Sequence, residues 1–75
     1  DPKTSLQEIV QKKYKKKPDY ILLKEEGPDH EKLFTVALTI NGCVVIEGSG
    51  TSKRRAEVDA ARKILNKIKN ERFEV

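Results

Sequence analysis

No tryptophan and no methionine occur in these 75 residues, and cysteine and histidine occur once each. A lone Cys43 allows neither a disulfide framework nor a thiolate metal cluster, and it fits a reducing, cytoplasmic setting. A lone His30 excludes paired-histidine zinc sites and any nucleophile activation that needs a second histidine. No apolar run approaches the roughly 20 residues of a membrane span and no signal peptide opens the chain, so no membrane partner is expected. The first residues, Asp1-Pro2, lack a methionine, and the chain is expected to be a fragment of a longer protein. With only two Phe and two Tyr, the core has to come from Ile, Leu, Val and Ala. That suffices for one two-layer domain of marginal stability, and it leaves no room for a deep small-molecule pocket.

Charge is what the sequence has in quantity. Charged residues make up 37% of it, Lys plus Arg exceed Asp plus Glu by four, and the pI is near 9.3. That balance favours a polyanionic partner without naming one.

From Thr4 to about Lys16, Leu6, Ile9, Val10 and Tyr14 recur at helical spacing, and Thr4-x-x-Gln7 or Ser5-x-x-Glu8 offers a capping box. Tyr20 to Lys24 reads as a strand that ends at the turn-forming Gly27-Pro28-Asp29. Phe34, Val36, Leu38 and Ile40 alternate with Leu33, Thr35, Ala37 and Thr39, the period of a half-buried antiparallel strand. Asn41-Gly42 predicts a type I′ hairpin into a third strand, Cys43 to Glu47. Gly48 and Gly50 are expected to end regular pairing, and Thr51 or Ser52 to cap a second helix. In that helix Ala56, Ala60, Ala61, Ile64, Leu65 and Ile68 form one apolar stripe. Residues 69–75 lose the pattern and are expected to fray. The order predicts an α+β fold, α-β-β-β-α, with two helices packed on one face of a three-stranded antiparallel sheet.

Three segments carry candidate chemistry. At Thr51-Ser-Lys-Arg-Arg55, three adjacent cations occupy a helix start, where the macrodipole disfavours each by a few tenths to about 1 kcal/mol. Ser52, Lys53, Arg54 and Arg55, with the unpaired amides of the first turn, would attract phosphates; the plain alternative is a solvated basic turn. Thr4, Gln7, Glu8 and Gln11 form a polar stripe beside the apolar one. Glutamine both donates and accepts, which suits a ribose 2′-hydroxyl and base edges in a wide minor groove, although an ordinary solvent face explains the stripe as well. The Gly27-Pro28-Asp29-His30 turn, stiffened by proline, can present carbonyls and an imidazole outward, or simply close a loop. Lys12, Lys13, Lys15, Lys16 and Lys17 sit where a helix end prefers cations and need no ligand to explain them.

Together these segments resemble the double-stranded RNA-binding domain family over residues 3–68. Pro2-Lys-Thr-Ser-Leu-Gln-Glu8, the Gly27 to His30 loop with Lys32, Phe34-Thr-Val36, Asn41-Gly42, and Gly48-x-Gly50 before Ser52-Lys-Arg-Arg-Ala-Glu57 look like the C-terminal domain of bacterial ribonuclease III. The resemblance implies Thr4, Gln7, Glu8 and Gln11 in one minor groove and Pro28, Asp29 and His30 in the next. Ser52, Lys53, Arg54 and Arg55 would then lie on phosphates across the intervening major groove. The sequence departs from many relatives at Glu57, where they carry a third lysine, and Arg55 is the substitute at hand.

The resemblance further implies a module without catalytic residues, metal or cofactor of its own. Magnesium and the acidic cluster that holds it would belong to a separate catalytic domain of the parent, expected to be a homodimer, whereas the isolated domain is expected to be monomeric. Glu25-Glu26 is the sole adjacent acidic pair and reads as solvated surface. The alternative function is a protein-interaction or dimerisation domain on the same fold, using Val58 and Phe73.

Overall fold

Asp1, rather than Thr4 or Ser5, caps the first helix. In a computed structural model that describes residues 1–75, helix α1 spans Pro2–Tyr14 and the Asp1 carboxylate accepts the Lys3 backbone N–H at 3.1 Å. Proline at the first helical position loses nothing by lacking an N–H, so the helix starts two residues before the expected Thr4. It stops at Tyr14, short of Lys16, because Lys15 turns left-handed (φ 60°) and returns its N–H to the Gln11 carbonyl. Leu6 and Val10 are fully buried on its inner face.

Strands β1 (Asp19–Glu26), β2 (Leu33–Ile40) and β3 (Cys43–Gly50) form an antiparallel sheet in the order β1-β2-β3. Asn41 and Gly42 have φ of 51° and 83°, the pair of positive values that a type I′ turn requires. Each edge strand is interrupted once: the register shifts at Leu23 in β1 and at Val45 in β3. Such bulges twist an exposed edge away from pairing with another chain. In β2, Val36, Leu38 and Ile40 face the helices as their alternation predicts. Ala37 and Thr39 are buried as well, since they are small and lie between two neighbouring strands, and the Thr39 hydroxyl donates to the Asp19 carbonyl at 3.3 Å.

The expectation that Gly48 and Gly50 end the third strand is overturned. Gly48 pairs with Val36 and Gly50 with Phe34. Their missing side chains serve the layer above instead. A Cβ on Gly50 would lie 2.7 Å from the Ala56 nitrogen, and one on Gly48 would meet the Ala56 carbonyl and the Ala60 nitrogen more closely still. Helix α2 (Lys53–Asn70) therefore rests with its backbone on β3, and Ala56, Ala60, Ala61 and Ile64 are completely buried beneath it. Leu65 and Ile68 extend the stripe as half-buried residues.

Lys69 and Asn70, expected in a loose tail, are helical. Beyond them Arg72 turns left-handed, the Phe73 N–H returns to the Lys67 carbonyl at 3.2 Å, and Val75 packs against the core. Two apolar residues separated by one position, Phe73 and Val75, were too short a pattern to reveal this return.

Replacing Gly48 with alanine forces a methyl group into backbone atoms that have no rotamer to yield. The variant should lose about 1–3 kcal/mol, read as a lower urea midpoint at an unchanged m-value.

Candidate nucleic-acid interface

The basic start of α2 is built by its cap. Ser52 holds an extended backbone and its Oγ accepts the Arg55 N–H at 3.1 Å, which satisfies one orphan amide and fixes where the helix begins. Lys53, Arg54 and Arg55 are all exposed, but at 100° per residue three consecutive side chains cannot share one face. Lys53 and Arg54 line a shallow, open concavity with Asp1, Lys3, Thr4, Gln7 and Glu57, between the first turns of α1 and α2. Arg55 lies on the far side, beside Ser49, Ser52, Val58, Asp59 and Arg62, with its guanidinium donating to Thr51 Oγ1 at 3.0 Å. Arg54 borders both hollows. The three-residue clamp read from the sequence is therefore divided by the helix that carries it.

Of the α1 stripe, Thr4, Gln7, Glu8 and Gln11 are all exposed, and Thr4 and Gln7 are the two that share the concavity with Lys53 and Arg54. Glu8 and Gln11 continue the row outside it. The Thr4 hydroxyl is near the limit of a hydrogen bond to Asp1, at 3.4 Å.

Pro28, Asp29 and His30 form the exposed tip of the β1–β2 loop, separate from both helix starts. Two devices stiffen this tip. The Pro28 carbonyl accepts the Glu31 N–H at 2.8 Å, and Gly27, at φ 96°, passes so close to the Glu31 carbonyl that a Cβ would lie 2.5 Å from it. Lys32 anchors the loop base by pairing with Glu25 at 2.9 Å and reaching Asp29 at 3.9 Å. Glu25 is thus engaged in an ion pair, as is Glu26 with Lys24 at 3.8 Å.

Two contributors were missed in the sequence. Lys3 ion-pairs with Glu57, so the acid that displaces the third basic residue is neutralised by a cation from the other helix. Its spacing of four from Gln7 places Lys3 on the polar row of α1, but nothing in the sequence pairs it with Glu57. Asp59 accepts the Ser49 backbone N–H at 2.9 Å and pairs with Arg62 at 2.8 Å and Lys63 at 3.0 Å, tying α2 to the end of β3. Desolvation opposes its charge, but the Ser49 amide and the Lys63 and Arg62 side chains together hold the carboxyl below its ordinary range.

Residues 2–68 match the family model for the double-stranded RNA binding motif. The chain belongs to this family. The Ribonuclease 3 of Pseudothermotoga lettingae is 48% identical over 71 residues, which cover 95% of this chain and 30% of that protein. The Ribonuclease 3 of Borreliella burgdorferi is 49% identical over 70 residues, covering 93% of this chain and 29% of that protein. The domain thus spans about 30% of the length of these relatives. The solution structure of the second dsRBD of DRB4 is similar at a TM-score of 0.64 and 35% identity, with 93% of this domain and 97% of that chain covered. The α-β-β-β-α order and the family read from the sequence both hold.

Because Asp59 is a stronger acid in the folded domain than in the unfolded chain, its contribution is full above its ordinary value of 3.8 and is lost as pH falls through the lower folded value. Asp59→Asn should cost about 1 kcal/mol at neutral pH. Its denaturation curves should converge with those of the parent sequence as pH falls below 4; parallel curves throughout would show that the carboxylate charge contributes nothing.

Proposed function

We propose that this domain binds double-stranded RNA by its A-form shape, as the substrate-binding domain of a ribonuclease III endoribonuclease. The observation that carries this reading is the concavity in which hydrogen-bonding Thr4 and Gln7 stand beside the phosphate-seeking Lys53 and Arg54. A duplex presents 2′-hydroxyls in its wide, shallow minor groove and phosphates at the groove edge, so neighbouring neutral and cationic groups match adjacent features of one ligand. Thr4, Gln7, Glu8 and Gln11 would read one minor groove, and Pro28, Asp29 and His30 the next. Between them, Ser52, Lys53 and Arg54 would meet phosphates across the major groove. Arg55 would approach the backbone from the other side of α2.

On this reading the domain binds as a monomer and needs no cofactor. Cleavage, with its magnesium, belongs to a separate catalytic domain of a homodimeric cytoplasmic parent. No helix of the domain is long and apolar enough to cross a membrane. The protein-interaction alternative draws little support: Val58 is half-buried, and Phe73, though exposed, is a single ring at the chain end with the Lys67 ammonium 5.6 Å from its centroid.

A 16-base-pair RNA duplex should bind far more tightly than DNA of the same sequence, which lacks the 2′-hydroxyl and the A-form grooves. The double variant K53A/R54A should weaken binding and flatten the dependence of log K on log salt by up to about 1.8, taking about 0.9 per lost phosphate contact from duplex DNA. Equal affinity for RNA and DNA, measured by fluorescence anisotropy, would refute recognition by shape.

A further inference from the structure

Glu57 is an anomaly on the proposed face. It lies one turn beyond Lys53 on the same side of α2, lines the same concavity, and brings negative charge to a surface meant for phosphates. Its carboxylate engages Lys3 of α1, 54 positions away in sequence, rather than the nearby Lys53. Both side chains are partly shielded, with about a third of Lys3 and a quarter of Glu57 exposed. Lys3 is further held 5.0 Å above the Tyr20 ring of β1. The three residues thus join α1, α2 and β1, with Lys3 and Glu57 in the lining of the concavity itself. The Tyr20 hydroxyl is buried there without a hydrogen-bonding partner. Burial first, and then the charge of Glu57, push it up to about 12, so it remains a neutral wall.

No other ion pair ties the first turn of α1 to the rest of the domain. Its buried anchors, Leu6 and Val10, lie farther along the helix, and apolar contact tolerates sliding in a way that a directional ion pair does not. We propose that Glu57 and Lys3 are positioning residues for duplex binding: their ion pair sets the offset between the Thr4 and Gln7 groups on α1 and the Lys53 and Arg54 cations on α2. The inference rests on the RNA-binding reading. Under it, the negative charge at position 57 is an asset, because a groove reader and a phosphate clamp work together only at a fixed separation.

Glu57→Lys separates this idea from simple electrostatics, since it raises the net charge by two and sets two ammonium groups against each other. Long-range attraction alone predicts tighter binding. Positioning predicts about fivefold weaker binding to a 16-base-pair RNA duplex and a smaller preference for RNA over DNA. The salt slope should stay near its original value, because Lys53 and Arg54 still reach phosphate. The double variant K3E/E57K restores the pair with its charges exchanged and should return affinity to within about twofold, which a general loss of stability would not allow. Thermal melts confirm that each variant is folded. If E57K binds RNA as tightly as the parent sequence or more so, or if the folded double variant fails to recover, the positioning role is wrong. If the parent sequence itself binds the RNA duplex no better than matched DNA, the RNA-binding reading fails, whereas the outcomes above leave that preference in place, so the two failures are distinguishable.

Discussion

The close seating of α2 on β3 is the constraint from which the rest of the molecule follows. Gly48 and Gly50 remove side chains from the strand, Ala56 and Ala60 reduce them on the helix, and two backbones meet where most proteins interpose bulky residues. That approach lets a 75-residue chain with few aromatics exclude water from nine core residues. It also determines where α2 starts. The helix cannot slide along the strand without driving Ala56 or Ala60 off the glycines, so Ser52 and the cations after it are held at one place on the surface. Asp59, accepting the Ser49 amide beside Gly50, locks the same register by a polar contact.

From this fixed start the proposed RNA-binding face is assembled by further contacts. The α2 cations are set by the sheet, the first turn of α1 is set by α2 through Lys3 and Glu57, and the β1–β2 loop is set within itself by Gly27, the Pro28 carbonyl and Lys32. No hydrogen bond or ion pair joins the loop tip to either helix start. A partner that touches both must therefore be long and stiff enough to span them, which a duplex is and a short flexible strand is not.

Most of this was legible in the sequence because it is periodic or local. The alternation of β2, the Asn41-Gly42 turn, the alanine stripe and the Ser52 cap each depend on neighbours within a few positions. The differences have two causes, one long-range and one local. Gly48 and Gly50 look like breakers because their partner, the α2 backbone, leaves no periodic trace in the strand. Thr4 and Ser5 offer more familiar capping boxes than Asp1, although Pro2 directly after Asp1 is the better signal. Lys3 with Glu57 and Asp59 with Ser49 are tertiary pairs of single residues, and no spacing rule reaches them. The division of Lys53, Arg54 and Arg55 between two hollows was within reach, since the helical period alone separates consecutive side chains.

Ion pairing also explains why a modest net charge of +4 is enough for a polyanion. Lys3, Lys24, Lys32, Arg62 and Lys63 are all engaged by carboxylates, whereas Lys53, Arg54 and Arg55 take part in no salt bridge. Five acids are spent on ion pairs, and the unpaired cations gather at the α2 start, along the lysines that end α1, and at Lys67, Lys69 and Arg72 beyond the α2 core. The α2 start is not equivalent to the other two, which both lie at helix C-termini. The α1 lysines lie where the helix dipole welcomes cations, so they are content in water; the α2 cations add to a positive helix end and repel it. Only an anion relieves the second arrangement. The domain keeps this unfavourable cluster in the one place where the glycine contact prevents it from moving away, and that combination of electrostatic cost and mechanical rigidity is what separates a binding surface from an ordinary basic one.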